Sequence, residues 1–121
     1  MKMTNYAAEQ HLVQMSELRN ETGNLPVMAG YRILQNLHAL EAVVKPFVDM
    51  RDETVRKYSG GKEELHSEDD PEAFRAAMAE IDSIGNLEVE VEINPLSIDL
   101  IRDRELPMKV LFALDFMLKE G

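Results

Sequence analysis

From Leu25 to Ser59, apolar residues recur every three or four positions with no turn signal between them. Ile33, Leu37, Leu40, Val44, Phe47, Val55 and Tyr58 keep that spacing, with a gap at Arg51. Such a stripe marks one face of an α-helix. Val27, Tyr31, Leu34 and Val48 widen it, which predicts contact with more than one neighbour. Asn24 can cap this helix, and Pro26 stands near its first position, where a missing N–H costs nothing. Gly60-Gly61 should end it. Pro46 lies inside the stripe. It removes one hydrogen bond and crowds the Ala42 carbonyl, so the expectation is a continuous but kinked helix. At the solvated end, Asp52 with Arg56 and Glu53 with Lys57 are spaced for i,i+4 pairs.

Before it, Thr4 can cap a first helix over 5–20, with a loose stripe of Tyr6, Leu12, Val13, Met15 and Leu18. Gly23 suits a positive φ at its end. After it, 60–70 is glycine-led and acidic, which reads as a mobile loop over 61–70. Asp70-Pro71-Glu72 then supplies cap, first position and first-turn acid for a short helix over 71–84. Its apolar face would be Phe74, Met78 and Ile81, and Gly85-Asn86 would end it.

The pattern changes period in "NLEVEVEINP" (86–95). Leu87, Val89, Val91 and Ile93 alternate with Glu88, Glu90 and Glu92. Strict alternation predicts a half-buried strand with its glutamates in water. "LSIDLI" (96–101) offers a second alternation, so the simplest expectation is a β-hairpin of 87–93 with 96–101. A short helix capped by Ser97 is the alternative. The final stretch, 107–119, places Val110, Leu111, Leu114 and Met117 at helical spacing. Phe112, Phe116 and Leu118 are apolar too, so this helix should be sandwiched or meet a partner. The fold class is therefore α+β and mostly helical. It comprises a helical hairpin with a long Pro-kinked helix, two further helices and a small antiparallel β-hairpin, in a single domain over 1–121.

Charge sharpens the picture. The net charge is −10, and the segment 62–105 carries fourteen acids against four bases, the whole of the excess. An acidic field repels nucleic acid and attracts basic protein surfaces. The plainer reading is that the charge keeps the protein soluble. Cysteine is absent, which removes disulfides, thiolate catalysis and cysteine-based zinc sites. No apolar run approaches the roughly 18 residues of a membrane span, and the start has no apolar leader. No membrane association and a cytoplasmic location are expected.

Candidate chemistry is sparse. His11, His38 and His66 do not stand at metal spacing. His38 borders the long stripe and reads as a half-buried structural histidine. "HSEDD" (66–70) lacks the alternation of a calcium loop. The carboxylates of Glu88, Glu90 and Glu92 fall roughly 7 Å apart along a strand, too far to share a metal easily. No phosphate loop, nucleophile elbow or metalloprotease motif is present. The expectation is no catalytic residue, metal or cofactor. The candidate partner-binding residues are Glu68, Asp69, Asp70, Glu88, Glu90 and Glu92, facing a basic protein surface, with Phe112 and Phe116 at an apolar contact with a partner or a second copy.

Leu25-Pro26, Tyr31, Ile33, Asn36, Leu40-Glu41, Lys45-Pro46, Lys57-Tyr58 and Gly60 are followed by the glutamate strand and the closing "LFALDFML" (111–118). In this the chain, over most of 25–119, resembles a family of small uncharacterised proteins of tailed phages and prophages, catalogued as a domain of unknown function. Arg102 and Arg104 depart from a more acidic stretch there. The resemblance implies a phage origin and a place in the host cytoplasm, and brings no activity or site residues with it. Two functions follow as expectations. One is an accessory protein that binds a host protein, such as a defence nuclease, and blocks its basic surface. The other is a tail or head assembly chaperone. An enzyme of unknown class comes third.

Overall fold

A computed structural model describes residues 1–18, 25–102 and 104–120. Among them the order is β1 (Lys2–Thr4), α1 (Asn5–Ser16), α2 (Val27–Ser59), α3 (Pro71–Gly85), β2 (Glu88–Glu90) and β3 (Leu96–Ser97). A 3₁₀ turn (Ile98–Leu100), α4 (Met108–Leu114), a second 3₁₀ turn (Asp115–Met117) and β4 (Leu118–Lys119) complete it. The class is α+β and mostly helical, as the periodicity predicts. Gly23 and Asn24, expected to stop one helix and cap the next, lie outside the described residues.

Thr4 caps α1 as expected, its hydroxyl accepting from the Ala7 N–H at 3.0 Å. Helix α2 runs unbroken through Pro46. Ala42 and Pro46 are both exposed, so the carbonyl left without a donor can turn to water. Gly60, at φ 75°, takes the left-handed conformation that ends the helix, a position that suits glycine because it has no Cβ. Asp70 caps α3 through the Ala73 N–H at 3.1 Å, and Pro71 opens its first turn.

Helix α1 packs back along α2, forming the expected helical hairpin, and α3 packs on the far half of α2. Ile33, Leu37, Leu40 and Val44 join Met15, Leu18, Val91, Leu96, Val110, Leu114 and Met117 in one apolar cluster. Of the wider stripe, Val48 packs against it and the other three do not. Val27 is 90% exposed, and Tyr31 and Leu34 are about half exposed. Val13 and Met78 are likewise exposed, and the buried positions of their helices include Ala8 and Ala77.

The β pairing differs from the expected hairpin. β2 pairs antiparallel with β1, with Met3 opposite Val89, and β3 pairs parallel with β4, with Leu96 opposite Leu118. Asn36, fully buried on α2, supplies the reason. Its Oδ1 accepts from the Asn94 N–H at 2.7 Å, and its Nδ2 donates to the Asn94 carbonyl at 2.9 Å. The chain at 94–95 is thereby held on α2 instead of turning back on β2. After β3, Ser97 caps the Ile98–Leu100 turn through the Asp99 N–H at 3.3 Å, the alternative to a strand. The expected helix over 107–119 is shortened to α4, because Leu118 and Lys119 leave the helical path to join β3.

Candidate functional site

The expected contact residues fall into three groups. The first is the loop between α2 and α3. Glu68, Asp69 and Asp70 are exposed there, as are Glu63 and Glu64, with Glu72 exposed in the first turn of α3, and the loop carries only turns and bends. Glu63 lies beside Asp52 and Arg56 at the end of α2. The carboxylates therefore gather at one end of the molecule, where α2 stops and α3 begins. His66 Nε2 lies 3.2 Å from Glu64.

The second group is the glutamate ladder. Glu88, Glu90 and Glu92 are exposed, while Val91 is buried and Val89 half-buried, as alternation predicts. Leu87 departs from the pattern and is exposed. The ladder is partly neutralised. The Met1 amine donates to Glu90 at 2.8 Å and holds its carboxyl below the ordinary value, chiefly through that hydrogen bond. Lys2 stands opposite Glu90. Asp70 caps the first turn of α3 and Glu88 follows its last, and a helix of 15 residues spans about 22 Å. That distance exceeds the screening length of about 8 Å, so loop and ladder act as separate charge groups.

The third group is aromatic. Phe112 is 70% exposed on α4. Phe116 is half-buried and stacks on His11, ring centroids 3.9 Å apart. His11, not His38, is therefore the half-buried histidine. His38 is exposed and helps line a groove of about 330 Å³ with Met15, Leu18, Gly30, Ile33, Leu34, Leu37 and Glu41.

Shifted proton affinities also concentrate in a cluster that spacing did not reveal. Arg51 on α2 binds Glu9 on α1 two-handed, at 2.9 and 2.7 Å. Tyr6 donates to Asp82 on α3 at 2.5 Å and meets Phe47 edge-on. That hydrogen bond, with burial, raises the Tyr6 phenol to about 12. Glu9 raises the Arg51 guanidinium. Both groups hold their protons more tightly than usual, the chemistry of a clamp between helices and not of a base. Gly85 belongs to the clamp, since a Cβ there would overlap the Tyr6 ring. A short distance along, Tyr58 and Lys57 of α2 donate to Glu80 of α3 at 3.0 and 3.2 Å. They hold its carboxyl low, Tyr58 foremost. Lys57 thus pairs across helices and not with Glu53.

Among the described residues, no group of three or more His, Asp or Glu is placed to hold a metal, and no helix is long and apolar enough to cross a membrane. No protein-family model, curated protein or solved structure matches the chain.

Proposed function

We propose that this chain is a non-catalytic protein-binding module that docks on a basic protein surface through its acidic end. The observation that supports the reading is the exposure of Glu63, Glu64, Glu68, Asp69 and Asp70 together between α2 and α3, with Glu72 exposed in the first turn of α3. Solubility alone calls for scattered charge, whereas a concentrated field steers a partner of opposite sign. The setting of a phage accessory protein that blocks a host protein, such as a nuclease, rests on the resemblance carried by 25–119. The ladder of Glu88, Glu90 and Glu92 is the lesser contributor, because the Met1 amine and Lys2 stand against Glu90.

A second reading has its own support. Val27, Met28, Tyr31 and Leu34 are exposed at the start of α2, as are Met108 and Phe112 on α4. An assembly factor that holds an apolar segment of a structural protein would use such side chains. Capture from host lysate, with the bound proteins identified by mass spectrometry, separates the two. The chain is compared with a variant carrying Glu68→Gln, Asp69→Asn and Asp70→Asn, the last chosen because asparagine also caps a helix. A basic partner captured by the first and lost by the second, and lost again at high salt, is the expected result. Equal capture by both, insensitive to salt, would reject the acidic end as the docking surface.

A further inference from the structure

His11 sits on α1 with its ring face against Phe116 of the C-terminal turn, the planes 22° apart. Its Nδ1 is shut away from solvent and has no hydrogen-bond partner. A neutral ring with its hydrogen on Nε2 leaves only a bare lone pair at that atom. Protonation would place an N–H and a positive charge there instead, with no acceptor to receive them. The Phe116 face attracts a cation but accepts no hydrogen bond of ordinary strength from an edge nitrogen. Burial alone lowers the His11 proton affinity. Charged groups on α1 and the chain end that it meets are Glu9 on α1, Glu17 just beyond it, Lys109 on α4, Asp115 and Lys119, with Arg51 of α2 held by Glu9. None of them contributes to that shift.

We propose that the His11–Phe116 stack is a pH-operated latch: uptake of a proton by His11 breaks the stack, frays the 3₁₀ turn at Phe116 and uncovers the Phe116 ring. The anchors around this turn limit the movement. Val110, Leu114 and Met117 are buried, Asn36 donates to the Met117 sulfur at 3.2 Å, and Leu118 and Lys119 pair with β3, so α4, the Met117 side chain and β4 stay in place and the movement is local to Phe116. Phe116 then joins the exposed Phe112 as a second free aromatic on this side. The sign is that of a depressed histidine. The neutral ring's contribution is fully present above about pH 6.5 and is lost as pH falls through the lower folded value.

Nuclear magnetic resonance of the whole chain between pH 7.5 and 5 tests this, reading the His11 ring, its contact with Phe116 and hydrogen exchange at 115–118, where the Leu118 N–H closes the turn on the Asp115 carbonyl. His11 should titrate below about 6.5. With the same midpoint the contact should vanish and protection of these amides should fall about tenfold, while α3 keeps its own. In His11→Phe, protection at pH 5 should match that at pH 7.5. His11→Gln, neutral throughout, serves if the first variant does not fold. The latch is refuted if the wild-type contact survives titration of His11, or if the uncharged variants lose protection equally.

Discussion

Along the first half of α2, Ile33, Leu37, Leu40 and Val44 sink into the main apolar cluster, with Asn36 as the one fully buried polar group among them. Along the second half, Arg51, Lys57 and Tyr58 instead reach charged partners on α1 and α3. The outer surfaces reverse this order. The first half shows apolar side chains to water at Val27, Tyr31 and Leu34, and the second ends among exposed carboxylates. A helix of 33 residues is about 50 Å long, so the two ends meet different surroundings. Apolar burial carries the stability of one half. Polar clamps align the other and leave its end free for charge.

The largest effect should come from the apolar half. Leu40 is fully buried, and Leu40→Ala should cost about 3 kcal/mol in urea denaturation. Leu37→Ala, beside the groove, should cost about 2 kcal/mol. A loss under roughly 1 kcal/mol at Leu40 would mean that the cluster is not what holds α2.

Next comes Asn36→Ala, which strands both the N–H and the carbonyl of Asn94. A loss of about 2 kcal/mol is expected, with exchange at Asn94 accelerated. If Asn36→Ala is neutral, the grip on 94–95 does not direct the chain away from a hairpin.

The clamps should give less. Tyr6→Phe removes one hydrogen bond at a partly exposed site, so a loss of about 0.5–1 kcal/mol is expected. Its pH signature is more telling. The folded phenol is raised to about 12 from an ordinary value of about 10. Its stabilisation is therefore present below about pH 10 and lost as pH rises towards about 12, because the unfolded chain releases its proton first. Glu80 behaves oppositely: its lowered carboxyl stabilises above the ordinary glutamate value and fails in acid. Ultraviolet titration should show a late phenol that is absent in Tyr6→Phe.

The smallest effect on stability belongs to the ladder. Changing Glu88, Glu90 and Glu92 together to Gln should alter stability by less than about 0.5 kcal/mol. With a partner in hand, it should slow association modestly and lessen the salt dependence. An unchanged rate and salt slope would leave the ladder as the wet face of a short strand whose charge discourages edge pairing.

Long-range contacts mark where the sequence stopped being readable. Helix α2 was legible because its stripe and Gly60 are local signals, and α3 because Asp70-Pro71-Glu72 is a cap written in three residues. Alternation told which face of 87–93 turns inward but could not name the strand's partner. Lys2–Thr4 has one buried side chain, Met3, too little to read. Val27, Tyr31 and Leu34 have core chemistry, and only the placement of the neighbouring helices leaves them uncovered. His38 borders the stripe and drew notice, while His11 is half-buried against Phe116 from the far end of the chain. The exposed acids of 63–72 were legible as charge, and their convergence with the end of α2 followed from the helix pairing.

The division of labour between the ends of α2 is tested most directly by hydrogen exchange of the whole chain, alone and bound to the partner that capture identifies. Docking through the acidic end predicts slowed exchange at 62–72 and unchanged exchange at 27–34. Slowed exchange at 27–34 with none at 62–72 would contradict it and identify the apolar end as the one that binds.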